Sequence, residues 1–68
     1  MAIYHLFING KYRFKTNSFE EILLEINSTE CVVHEDILIA SLICDHEYHL
    51  FDFEGNRKID VVVSTYGK

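Results

Sequence analysis

Asn9-Gly10 sits between apolar residues at Ile3 and Phe7 on one side and Tyr12 and Phe14 on the other. This dipeptide is the strongest short signal for a two-residue hairpin, because both positions accept the positive φ of a type I′ turn. Directly after the hairpin, Ser18 and Glu21 stand at capping-box spacing before an apolar run of helical period. Ala2 to Ile26 therefore reads as a β-hairpin running without a linker into one amphipathic helix. Local signals this dense are spent on architecture, which leaves a chain of 68 residues little room for a catalytic motif.

A two-residue turn sets Ile8 opposite Lys11, Phe7 opposite Tyr12, Leu6 opposite Arg13 and His5 opposite Phe14. One face of the ribbon then carries Ile3, His5, Phe7, Tyr12 and Phe14, and this face is expected to meet the helix. The first strand is apolar on both sides, as an internal strand would be, while the second suits a sheet edge. In the helix, Phe19, Ile22, Leu23 and Ile26 form one stripe, with Glu20, Glu21 and Glu25 pointing away. Leu24 falls outside the stripe, and Asn27-Ser28 marks the end. A helix this short is marginal alone and must be held by packing.

The second half reads as strands. Cys31 to His34 is a short candidate, and Ile37 to Cys44 is almost wholly apolar, with three isoleucines that tilt it toward a central strand over a helix. Tyr48 to Phe53 and Lys58 to Ser64 form a second hairpin around Gly55-Asn56, with Glu54 opposite Arg57. Tyr48, Leu50, Ile59, Val61 and Val63 share one face of it; His49, Phe51, Phe53, Lys58, Asp60 and Val62 share the other. The expected fold is a single α+β domain over residues 1–68, an antiparallel sheet of order ββαβββ or ββαββββ with one helix on one face. One short helix cannot cover five strands, so some apolar sheet surface is left for another occupant.

A chain below about 70–80 residues usually needs extra support from metal, disulfides, association or very tight packing. The composition is nevertheless that of a globular domain: 49% hydrophobic, 25% charged, no proline and only three glycines. Only Cys31 and Cys44 are present, too few for a disulfide framework, and the start lacks the features of a secretion signal. No run approaches membrane-spanning length, so the expectation is a cytoplasmic protein with reduced thiols and no membrane partner. The net charge of −5 falls entirely on residues 30–68, where eight acids face Arg57, Lys58 and Lys68. That balance disfavours duplex nucleic acid and favours a partner with a basic surface.

Several constellations invite chemistry. Cys31, His34, Cys44, His46 and His49 are zinc-ligand types, but their spacing fits no standard finger or ribbon, so neither metal nor cofactor is expected. Asp45, His46, Glu47 and Asp52 suit a solvated turn better than an acid–base cluster. A thiol–histidine pair lacks any accompanying signature, and the chain is too small for a deep cleft, so an enzyme is not expected. Lys11, Arg13 and Lys15 alternate with Tyr12 and Phe14 as on a single-stranded nucleic-acid platform, yet cations on an outer strand also block unwanted pairing.

The surface most suited to binding is the second hairpin, with Phe51 and Phe53 as aromatic anchors and Asp52, Glu54 and Asp60 as a charged rim. The leading expectation is a non-enzymatic protein-binding module that inhibits or modulates another protein. In size and style the chain resembles small phage or mobile-element proteins that modulate a host protein, with no motif behind the likeness. The alternatives are a homodimer closed through the uncovered sheet and a small nucleic-acid binder using the first hairpin.

Overall fold

The computed structural model describes residues 2–65. The chain runs through β1 (Ala2–Ile8), β2 (Lys11–Thr16), α1 (Phe19–Asn27), α2 (Glu35–Cys44), β3 (Glu47–Phe51) and β4 (Arg57–Thr65). The strands form one sheet in the order β2-β1-β4-β3, antiparallel at every pairing. The α+β class holds, with β1 internal and β2 at an edge. The element order does not: two helices replace the expected helix and strand, giving ββααββ.

Ile37 to Cys44 is the reason. It lies in α2, not in a central strand, and Cys31 to His34 forms no strand either. Glu35 and Asp36 occupy the first helical turn, where carboxylates complement the helix dipole, and Leu38 and Leu42 are buried one turn apart. Ile37, Ile39 and Ile43 lie on the remaining sides and are exposed. An apolar run on all sides of a helix has no 3.6-residue period, so the isoleucines imitate a buried strand. The segment before it is tied to the sheet by one backbone hydrogen bond, in which Val32 donates its N–H to the Phe51 carbonyl at 2.8 Å.

The first turn forms as its residues dictate, with Asn9 at φ +54° and Gly10 at φ +79°. Ile8 pairs with Lys11 and Phe7 with Tyr12, but a bulge follows and Leu6 pairs with Phe14. Arg13 is the extra residue. A one-residue slip sends later side chains to the opposite face, so Phe14 joins Tyr4, Leu6 and Ile8 while Tyr12 stays with Phe7. The helices cover the Leu6 face, not the expected Ile3, His5 and Phe7 face. Tyr12 is therefore 53% exposed, on the uncovered side beside Phe7, with ring centroids 5.4 Å apart.

The core lies between that sheet face and both helices. Leu6, Leu50, Ile59 and Val61 meet Ile22, Ile26, Leu38 and Leu42, with Cys31 buried at the rim and Phe14, Phe19 and Leu23 packed around. The α1 stripe thus falls as its spacing predicts. Its start differs in detail: the Ser18 side chain makes no cap hydrogen bond. Thr16 acts instead, accepting the Ser18 N–H at 3.0 Å and donating to the Glu21 carboxylate. Helix α2 ends at Asp45, and His46 follows at φ +63°, a left-handed position usually given to glycine.

Two outcomes follow from this packing. Ile22→Ala should cost about 2–5 kcal/mol, whereas Leu24→Ala, at a side chain 70% exposed, should stay within about 0.5 kcal/mol; urea melts of both variants check the contrast. His46→Gly should stabilise by about 1 kcal/mol by removing the left-handed penalty, seen as a raised Tm.

Candidate functional site

The second hairpin has a longer turn than its residues suggest. Leu50 pairs with Ile59 and Phe51 with Arg57, so residues 52–56 form the connection. Arg57 meets Phe51 instead of the expected Glu54, three positions away, and a bulge between Leu50 and Phe51 leaves the rest of the ladder shifted by two, with Leu50 opposite Ile59 instead of Val61. Asp52 causes the shift: its Oδ1 accepts the Asn56 N–H at 2.8 Å and the Glu54 N–H at 2.9 Å, closing the loop over its own carboxylate. The Asn56 bond foremost, with the Glu54 bond, holds the Asp52 carboxyl below its usual range. A shift of two preserves side-chain parity, so Leu50, Ile59 and Val61 still share the core face. Phe53 leaves the strand for the loop and is 73% exposed, while Phe51, at the end of β3, is 45% exposed.

Beside β3 runs an open groove of about 850 Å³. Phe51, Phe53 and Val32 line one end; Asp45, Glu47 and Ser41 line the other. Its wall on the sheet side is the outer edge of β3, the last strand of the sheet. No Lys or Arg contributes to the lining. The groove also receives the C-terminal end of α2, which carries Asp45 at its cap and no basic residue in its last turn. A carboxylate there adds to the negative end of the helix dipole where a cation would be stabilising.

Of the five residues singled out from the sequence, the structure brings Phe51, Asp52 and Phe53 together in this groove. Glu54 lies just outside, in a neighbouring hollow with Glu30 and Lys58. Asp60 is elsewhere, on the uncovered sheet face. There its Oδ1 accepts both the His49 ring Nδ1–H and the Arg57 Nε–H, each at 2.7 Å. Burial pushes the Asp60 carboxyl up, but the bonds from Arg57 and His49 outweigh it and hold the group below its usual range. Asp52 and Asp60 are therefore engaged within the protein; of the other groove acids, Glu47 makes only a long contact, 3.8 Å, with the His49 ring, and Asp45 makes no side-chain hydrogen bond or ion pair among the described residues. Sequence reasoning named both only as parts of a solvated break. Reading 37–44 as a strand hid the helix end that gives Asp45 its electrostatic setting.

The remaining constellations do not assemble. Cys31 is buried with its Sγ 3.7 Å from the Ile26 carbonyl, and burial pushes its thiol up; Cys44 is exposed. Among the described residues no group of three or more His, Cys, Asp or Glu converges as a metal site would. On the first hairpin, Arg13 reaches Glu25 at 3.6 Å and Phe14 packs on the core, so Tyr12 is the one ring of the expected platform left to stack on. Among the described residues no helix is long and apolar enough to cross a membrane. No family model matches the chain, and no curated protein or solved structure is significantly similar to it.

The Asp60 network has a defined pH signature. A carboxyl whose folded pKa is depressed contributes stability in full above its unfolded value of about 3.9 and loses it as the pH falls through the folded value. Asp60→Asn should therefore be less stable than the wild type near neutral pH, with the deficit closing in acid. Urea melts of both proteins at about pH 7 and about pH 2 measure the two limits.

Proposed function

We propose that this protein is a small non-enzymatic module that binds a basic surface of another protein and inhibits or modulates that partner by occlusion. The observation that carries the reading is the groove beside β3: two exposed phenylalanines at one end, the exposed carboxylates of Asp45 and Glu47 at the other, and no Lys or Arg in its lining. Exposed aromatics in a concave, acid-rimmed surface are what a partner would desolvate, and a few such residues usually dominate binding energy. The charge layout supports the same direction. Ten of the eleven acids lie between residues 16 and 56, and none of the six Lys and Arg does. The free thiols of Cys31 and Cys44 fit a cytoplasmic setting.

A second reading, self-association through the open sheet face, draws on Ile3, Phe7, Tyr12 and Val62, which the helices leave uncovered. The Asp60 network and the His5–Ser64 hydrogen bond, at 2.9 Å, occupy part of that face and make it the more polar of the two surfaces.

Phe51→Ala and Phe53→Ala should each weaken capture of the partner from a lysate of the source or host cell by more than about 1 kcal/mol. Each should leave the melting temperature within a few degrees of the wild type, because both rings are exposed. Comparing recovery and thermal melts on the same variants is decisive: unfolding, or undiminished capture by the double variant, sinks the reading.

A further inference from the structure

The groove is walled by a strand edge, and that edge is unpaired over most of its length. The Val63 N–H bonds to the His46 carbonyl, which sets the even-numbered residues of this strand, Tyr48 and Leu50, against β4. By alternation, Glu47, His49 and Phe51 turn their backbone groups outward. The Phe51 carbonyl confirms this by accepting the Val32 N–H at 2.8 Å. Among the described residues no other backbone bond reaches this edge from outside. The N–H and C=O of Glu47 and His49 therefore face the groove as a ready template for a further strand.

The other edge of the sheet is managed differently. Strand β2 carries exposed Lys11, Arg13 and Lys15 and a bulge, both of which discourage pairing. Strand β3 carries no Lys or Arg and has Glu47 at its start, Asp45 just before it, and the unbalanced C-terminus of α2 behind.

We infer that an extended, basic segment of a partner protein adds to β3 as a fifth strand, lying in the groove between that edge and α2. This rests on the protein-binding reading and names its mode. Main-chain bonds to Glu47 and His49 supply register, as in other strand-addition complexes. A Lys or Arg at one end of the segment meets Asp45, Glu47 and the carbonyl end of α2, while apolar or aromatic side chains at the other end lie against Val32, Phe51 and Phe53. A second copy of this chain fits less well, since pairing two β3 edges about a two-fold axis brings the acids of one copy toward those of the other.

The test uses the full chain and capped synthetic peptides of about eight residues, enough to span the groove at ~3.4 Å per residue. One peptide has lysines at one end and Val, Ile and Phe at the other; its control replaces lysine with glutamate. Two further versions are N-methylated at alternate residues, one series on odd positions and one on even. Strand addition uses the N–H groups of one parity only, so one methylated series should lose about tenfold or more in affinity while the other binds as the parent does. The glutamate peptide should bind more weakly than the lysine peptide, and Glu47→Lys, at an exposed position, should narrow or reverse that preference. Equal binding of both methylated series overturns strand addition while leaving a protein-binding role intact. No binding by any peptide at millimolar concentration also overturns it, and the role is then decided separately by partner capture with the Phe51 and Phe53 variants. Concentration-dependent dimerisation in sedimentation, abolished by Glu47→Lys, would assign the edge to a second copy instead.

Discussion

The pairing of β1 with β4 is the contact on which the rest of the structure depends. It joins Ala2 to Thr65 at one end and Ile8 to Ile59 at the other, across nearly the whole described chain. The other two strand pairings are hairpins closed by short local connections. A lone two-stranded hairpin is marginal in water, and so is a helix of nine or ten residues. Joining the hairpins along β1 and β4 creates a sheet wide enough for both helices. Leu6, opposite Val61 and Phe14, lies where all the layers meet. The helices sit in the connection between the two hairpins, so they gain a shared floor only once this long-range pair forms. Loop-closure entropy rises slowly with length, which makes such a closure tolerable for equilibrium stability while slowing folding.

What the sequence made legible was decided by parity. The ladder of the second hairpin is shifted from expectation by two residues beyond its bulge, and its core face is nevertheless correct, because an even shift leaves every side chain on its side. The first hairpin differs by a single bulged residue, and that was enough to send Phe14 to the helices and Tyr12 to the open face. Nothing in Tyr12-Arg13-Phe14 announces a bulge. It becomes favourable only once Phe14 can reach the core beside Leu6. Helix α1 was legible because its apolar residues keep a 3.6-residue period. Helix α2 was hidden because exposed Ile37, Ile39 and Ile43 erase that period, and β-branched residues favour a strand until tertiary packing of Leu38 and Leu42 overrides them.

The candidate site was half legible for the same reasons. Phe51 and Phe53 stood out as surplus aromatics, and both are exposed beside the groove. The charged rim was assigned by nearness in sequence, and there the assignment diverges from the geometry. Asp52 is consumed by its loop and Asp60 by Arg57 and His49, since a carboxylate next to unpaired donors satisfies them before it serves a partner. Among the described residues Asp45 has no such partner and Glu47 only a long contact with His49, and both border the groove. Their importance comes from a helix end that exists only if residues 35–44 form a helix.

The contrast between the two sheet edges shows how charge placement divides labour in so small a domain. Edge strands expose unpaired backbone groups, and a monomer must discourage pairing wherever it is unwanted. Strand β2 does so with three cations and a bulge, and those cations are among the few in a chain with a net charge of −5. Had solubility alone governed, the same lysines could have been distributed over the acidic helical layer, where none is found between residues 16 and 56. Their concentration on β2 closes one edge, and the groove along β3, lined by no Lys or Arg, leaves the other available to a positively charged strand. The short length of β3 and the Val32 bond to Phe51 limit the open stretch to the groups around Glu47 and His49. A stretch that short is too small to drive aggregation through backbone bonds alone. It becomes a specific surface only when the side chains beside it, acidic at one end and aromatic at the other, add their own selectivity.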